Sequence, residues 1–597
     1  MKSFTLTSPP EPSSTTLGNW LIGNGTRLAV LMILVATYVA FARTSSFNFV
    51  YDDFQIIVYN PRVHSAHFLG SYFTRQVWEQ ARSGAGNLYR PLFMTWLLAN
   101  YKMFGLSPVG WHYTTVLVHL SATLLVYLLA DKLIPENPIP ALVSMAVFGL
   151  HPIHVESVAW ISGVTDPLAS CFFLGSFLSF IVFQEKTGRR SKWLTASLLL
   201  YAAALCTKET TVVLPAVIAW YRFCFARGND RRLSAAWIRS TASLLTPYFV
   251  LMLLYVGIRS IVLHGFAHTI SGVPLGTAVL AMPWAIYFYL SQILIPAGLG
   301  LFYDIEYANM LSIMGLVLPS AVLIMLLVLV IWWTRKSKSH LILFLAGWFL
   351  LTLLPSLGVL IMSRYEGVHD RYLYLPSVAI AVLAGYAWGR VFSGTRRSLQ
   401  IAVGASLFSL LLFSTWRQTE YWKNDLALFT RACAVAPHNP LAKLNLAAEL
   451  ARQNQYVAGL KEAQDVIQQD PTLAVAFSLA GKCSYFLGDY AAAEAYYKHV
   501  LASGTSEAGD VYLLGLAEIK LGRYQQALQV LRAGLSLWPS SPLYHYAMGL
   551  AFAGMGEWSA ALEEYKLEAA QHPGSSIVGP ARAEVEAHLK TGGDAAK

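Results

Sequence analysis

The chain has 597 residues, 55% of them hydrophobic and only 13% charged, which excludes a string of ordinary soluble domains and marks a polytopic membrane protein. The formal net charge of +10 does not indicate a nucleic-acid partner, because Lys and Arg sit in short clusters between apolar runs and not along one face. Five scattered cysteines (Cys171, Cys206, Cys224, Cys433, Cys483) have neither the paired spacing of a zinc site nor that of a disulfide framework.

Residues 1–26 are polar and rich in Pro and Ser, as expected of a disordered cytoplasmic tail. The first apolar run, 28–44, lacks a small-residue cleavage site and is expected to stay as a helix. A bilayer core of about 30 Å needs roughly 20 apolar helical residues. Further runs centre on 112–130, 140–151, 165–184, 193–207, 209–225, 241–263, 281–298, 312–334, 341–362, 373–391 and 399–416. Twelve full spans would put "TRKSKS" (334–339) and "SGTRRS" (393–398) on the face opposite to "QEKTGRRSK" (184–192) and "RFCFARGNDRRL" (222–233). Taking 281–298, broken by Pro283 and Pro296, as re-entrant or interfacial returns every basic cluster to the cytoplasm and leaves about 11 spans. The same assignment exports the first loop (45–111), the turn His151–Glu156, Asp370 and the C-terminal domain.

From about residue 440 the chain repeats with a period of 34. Asn454, Gly488, Gly522 and Gly556 are each followed two positions later by Tyr456, Tyr490, Tyr524 and Trp558. Ala447, Gly481, Gly515 and Gly549 form a second column, and Pro471, Pro539 and Pro573 a third. The pattern is that of the tetratricopeptide repeat, in which small residues let two helices pack closely. The fold class is therefore all-α, a polytopic membrane bundle followed by an α-solenoid. Its expected domains are the membrane part 27–418 and the repeat part 419–590, the latter a surface for peptides.

Polar groups collect on the exported side of the apolar runs: Asp52, Asp53, Arg90, His112, His151, His154, Glu156, Asp166, Lys208, Glu209, Asp370 and Arg371. Ionisable groups near membrane depth are costly unless they face partners or a wet cavity. A chamber mixing carboxylates and cations suits a phosphate-linked lipid, since cations neutralise phosphate oxygens and a carboxylate can take a proton from an attacking hydroxyl. "HPIHVE" contains acceptable zinc ligands, but Pro152 interrupts the helix that would align His151 with His154, and no metal or other cofactor is assigned.

The motifs "FVYDD", "YRPL" (89–92), "HPIHVESVAWISGVTD" (151–166), "KET" (208–210) and "DRYLYLPS" (370–377), followed by the repeats, resemble the transmembrane and tetratricopeptide-repeat-containing O-mannosyltransferases and their bacterial relatives. The resemblance implies transfer of a sugar, mannose or similar, from a polyprenyl- or dolichyl-phosphate donor to Ser or Thr hydroxyls of an exported protein held by the repeats. It makes one of Asp52 and Asp53 the general base and the other an orienting group. Arg90, Lys208 and Arg371 become candidates for the donor phosphate, with His112, His151, His154, Glu156, Glu209 and Asp370 lining the pocket. It also places the chain in the inner membrane of a bacterium or the endoplasmic reticulum membrane of a eukaryote, repeats facing away from the cytoplasm. About four repeats are present, fewer than in animal members, and "GVTD" lacks the Arg that precedes the corresponding acid there. Two other readings compete: a non-catalytic membrane-anchored scaffold, and a transporter, against which no internal duplication is visible.

Overall fold

The computed structural model describes residues 23–594 apart from 80–87, 136, 186–189, 226–233, 266–272, 306–309, 311, 338 and 359–364. Most of the tail expected at 1–26 lies outside the described residues, as do parts of the basic clusters at 184–192 and 222–233. Two compact units divide at Val435 and Ala436, so residues 419–435, expected with the repeats, pack with the membrane unit.

Among the described residues of the first unit, seven helices have the length and composition to cross a bilayer: Gly25–Ser46, Pro108–Leu133, Ile161–Glu185, Ala235–Val262, Leu275–Leu294, Ile313–Ser337 and Arg397–Trp422. An eighth candidate is the pair Pro138–Leu150 and Pro152–Ala159, bent by 45°. Leu341–Leu357 and Ser377–Val391 are shorter apolar helices. The eleven spans expected from charge bookkeeping exceed this number. In the segment 281–298 the helix Leu275–Leu294 runs unbroken through Pro283 and stops before Pro296. Proline removes one hydrogen bond from such a helix without ending it when the flanking turns are held.

The bend at residue 151 has a local cause. Pro152 cannot continue the preceding helix, and the His151 ring accepts a hydrogen bond from the Ile153 backbone N–H at 3.2 Å, capping the new turn. The described residues of the first loop, 45–79 and 88–111, are not irregular. They hold a π-helical turn at Phe54–Val58, short helices at Pro61–His64 and Ala66–Phe73, and the helix Pro91–Phe104. Their apolar faces bury Phe49, Ile57, Val63, Tyr72, Phe93 and Leu97 together with Ile161 and Val164, which ties the loop to the 156–166 segment.

The second unit holds four helix pairs, Pro440–Arg452/Tyr456–Gln469, Ala474–Phe486/Tyr490–Ala502, Ala508–Lys520/Tyr524–Leu537 and Tyr544–Gly554/Trp558–Gln571, then Val578–Asp594. The turn column explains itself: Asn454, Gly488, Gly522 and Gly556 all have φ between 61° and 84°, where Gly is unstrained and Asn is the best tolerated substitute. The other small column marks close helix contacts. A methyl on Gly481, Gly515 or Gly549 would fall within 3.0, 2.6 and 2.4 Å of Tyr497, Leu531 and Tyr565, each sixteen residues on. In the first pair the equivalents are Ala447 and Ala463, two small residues that share one apolar cluster.

Candidate functional site

One short stretch, Glu156 to Asp166, bonds three of the groups expected at the site, Asp53, Lys208 and Arg371, from three other parts of the chain. It is tightly wound: a methyl on Gly163 would sit 2.8 Å from the Glu156 carbonyl oxygen and 3.2 Å from the Trp160 ring. Four of its side chains leave in different directions.

Ser162 turns toward the first loop. Its backbone N–H and hydroxyl donate to Asp53 Oδ1 at 2.9 and 2.5 Å, while the Val50 N–H donates to Oδ2 at 3.1 Å. Asp53 is fully buried, and burial pushes its carboxyl up to about 7 against the opposing effect of these hydrogen bonds. Asp52, next to it, is partly exposed. The two neighbouring acids therefore differ in access, one sealed and one facing outward.

Glu156 and Asp166 each hold a cation. Glu156 accepts from the Arg371 backbone N–H at 2.9 Å and from Arg371 Nη1 at 2.6 Å. The Arg371 guanidinium lies over the Trp160 ring, 5.3 Å from its centre, and equally near the Tyr372 ring. Asp166 accepts from Lys208 Nζ at 2.5 Å, and both side chains are almost enclosed. Arg90 grips Glu209 through Nε and Nη2 at 2.9 and 2.6 Å, a forked pair that stays partly open. Asp370 accepts from the Tyr303 hydroxyl at 2.5 Å, and burial followed by the nearby Glu156 charge raises its carboxyl well above the ordinary range.

All three expected phosphate-binding cations are thus paired with a carboxylate. Lys208 is the most enclosed, its side chain 5% exposed against 12% for Arg90 and 18% for Arg371. Arg90 and Arg371 also carry guanidinium N–H groups beyond those in their carboxylate pairs, the kind of donor that phosphate oxygens accept from.

The expected pocket-lining histidines are placed differently. His151 Nε2 meets the Ile293 carbonyl at 2.9 Å, and since Nδ1 accepts from Ile153, Nε2 carries the proton. His154 contacts the Phe148 carbonyl and the Ser377 hydroxyl at 2.8 and 2.9 Å. Both are buried, and these contacts engage their ring nitrogens with other parts of the bundle. His112 is buried edge-on against Phe47, supporting the strand of chain that leads to the acid pair.

Several residues at the site went unremarked in the sequence. Trp160 and Ser162 lie within the quoted motif, but nothing in their spacing gave them a role. His119, in the middle of an apolar helix, contacts the Tyr374 hydroxyl at 2.7 Å and the Gly149 carbonyl at 3.1 Å; a lone His in a span was the signal. His369 lies 3.8 Å from Glu156. Among the described residues, no group of three or more His, Cys, Asp or Glu side chains is arranged to hold a metal ion.

Comparison with known proteins adds to this geometry. A family model described as TPR repeat matches residues 515–556. Across most of its length the chain is similar to protein O-mannosyl-transferase TMTC4 of Mus musculus, 24% identical over 489 residues, covering 72% of this chain and 65% of that one. Protein O-mannosyl-transferase Tmtc1 of Drosophila melanogaster is 34% identical over 178 residues, 29% of this chain and 20% of the relative. Its curated relatives are protein O-mannosyl-transferases. The chain spans just under two thirds of the length of those it matches most broadly. Among solved structures, ArnT from Cupriavidus metallidurans bound to undecaprenyl phosphate aligns over 79% of this chain and 80% of its own, at 15% identity and a TM-score of 0.36.

Proposed function

We propose that the protein transfers a sugar, mannose or a close relative, from a polyprenyl- or dolichyl-phosphate donor to Ser or Thr hydroxyls of a protein substrate on the extracytoplasmic side, with the repeats binding the acceptor. The observation that carries the reading is the asymmetry of the acid pair. Asp53 is sealed by Val50 and Ser162, while Asp52 is partly exposed and follows Tyr51, whose ring packs against Trp160 under the Arg371 guanidinium.

In this reading Asp52 is the catalytic base and Asp53 a positioning residue. The acceptor oxygen attacks the anomeric carbon as Asp52 takes its proton. The bond between that carbon and the phosphate oxygen breaks, the lipid phosphate leaves with the electron pair, and the anomeric configuration inverts. Arg371 and Arg90 receive the growing phosphate charge through N–H groups outside their pairs, and Lys208, held by Asp166, adds its field from behind. The transfer is written without a resident metal, since the arginines supply the positive charge.

The test is purified full-length protein in detergent, a polyprenyl-phosphate mannose, a Ser/Thr-rich peptide and a measurement of released lipid phosphate. Asp52→Asn is expected to lower the rate by roughly 10²–10⁴, the contribution of a placed general base. Full activity in Asp52→Asn would overturn Asp52 as the base, and a parent protein that releases no lipid phosphate would overturn the proposal and favour a scaffold.

A further inference from the structure

The stretch that joins the last long helix to the repeats carries contacts that the transfer scheme leaves unused. Thr415 donates to the Leu150 carbonyl at 2.7 Å and Gln418 to the Leu299 carbonyl at 3.1 Å. The Asn48 N–H donates to the Lys423 carbonyl at 3.1 Å, and Trp422 stacks on Trp160 with ring centres 6.3 Å apart. Phe429 meets the Tyr51 ring at 6.1 Å. A linker that only tethers a soluble domain has no need of such a seam.

At its centre is an acid. The Tyr51 backbone N–H donates to Asp425 Oδ1 at 2.8 Å. Tyr51 is one of only four non-glycine residues with positive φ among those described, at 54°, a conformation that a side chain makes unfavourable and that persists only when its surroundings impose it. The imposing groups are visible: Asp425 on the backbone, and Trp160, Phe302 and Phe429 around the ring. The next residue is Asp52. On its other side Asp53 is fixed by Ser162, so the exposed acid is clamped between two held neighbours.

We infer that Asp425 is a positioning residue for the transfer, holding Tyr51 in its left-handed conformation and so setting the direction of the Asp52 carboxylate. Residues 419–435 are then a wall of the reaction site and not a spacer. Asp425 opens the helix Asp425–Val435, and the chain passes from there directly to the first repeat helix, Pro440–Arg452. A shift of that connecting helix reaches Tyr51, next to Asp52, through the Asp425 hydrogen bond, which the carboxylate charge strengthens, and through the Phe429 ring. The inference rests on Asp52 acting as the base.

The experiment compares Asp425→Ala, Asp425→Asn and Asp425→Glu in the full chain, each purified in detergent, with kcat, the donor KM and the melting temperature measured together. The alanine variant is expected to lower kcat on the order of tenfold to a hundredfold, as misaimed reacting groups do, with donor KM nearly unchanged. Asn retains an acceptor oxygen at the same place and is expected to recover most of the rate. Glu retains the charge but moves it by one methylene, and is expected to melt as the parent does while losing kcat. The inference is overturned if alanine or Glu leaves kcat at the parental value. It is equally overturned if Asn is as impaired as alanine and both melt early, which is the pattern of a purely structural contact. Asp52→Asn and the parent run alongside separate the two ideas: a parent that releases no lipid phosphate sinks the transfer reading, full activity in Asp52→Asn sinks Asp52 as the base, and an inactive Asp52→Asn beside an active Asp425→Ala sinks only the present inference.

Discussion

The segment from His151 to Asp166 divides into two halves that use polar side chains in opposite ways. His151 and His154 direct their nitrogens at the carbonyls of Ile293 and Phe148 and at Ser377, closing the bend after Pro152. Glu156, Ser162 and Asp166 direct theirs at Arg371, Asp53 and Lys208, groups carried on three other parts of the chain. The difference teaches that residue type is a poor guide to role: the metal-capable, titratable histidines brace the bundle, and a serine and two paired carboxylates assemble the site. A carboxylate can orient several donors at once, while a neutral imidazole with both nitrogens engaged has nothing left to offer a ligand.

The sharpest way to break the comparison is Glu156→Gln. Removing one partner of a buried pair leaves the other uncompensated, so a stability loss of about 3 kcal/mol is expected together with near-complete loss of transfer. Thermal unfolding in detergent and the lipid-phosphate assay measure both. His151→Ala should act only on the first half of the comparison. It removes two hydrogen bonds, for a loss of about 1–2 kcal/mol, with kcat close to the parental value. A large fall in kcat at unchanged stability would place His151 with the reacting groups instead.

The smallest effect concerns acidity at Asp53. Its folded carboxyl titrates at about 7 against 3.8 in an unstructured chain, so the folded state keeps a proton that the unfolded state has released. The associated stability is complete below pH 3.8 and is lost as pH rises through about 7. The melting temperature of the parent should therefore drift down between pH 5 and pH 8, and the Asp53→Asn profile should be flatter. Parallel profiles would mean that Asp53 is already ionised at the lower pH.

The repeat unit was legible in the sequence almost residue by residue, because its rules are local. A left-handed turn needs Gly or Asn at 454, 488, 522 and 556, and a close helix pair needs a small residue at 447, 481, 515 and 549. The membrane unit gave up its apolar helices for the same reason. What stayed hidden was anything set by packing between distant parts of the chain. Nothing in "HPIHVESVAWISGVTD" says that its serine, and not its histidines, reaches Asp53. Nothing in "TEYWKNDLALF" says that Asp425 meets Tyr51. The continuity of Leu275–Leu294 was hidden too, since Pro283 reads as a break unless its surroundings are known.

The glycines facing Tyr497, Leu531 and Tyr565, and the alanine facing Ala463, amount to a lock and key divided between the two helices of each repeat. The summed volume differs from one partnership to the next, from glycine with tyrosine down to alanine with alanine, so each hairpin carries its own helix separation. A single exchange such as Gly481→Ala sets a methyl 3.0 Å from the Tyr497 ring and should splay that hairpin alone. The curvature of the array is in this sense written one hairpin at a time.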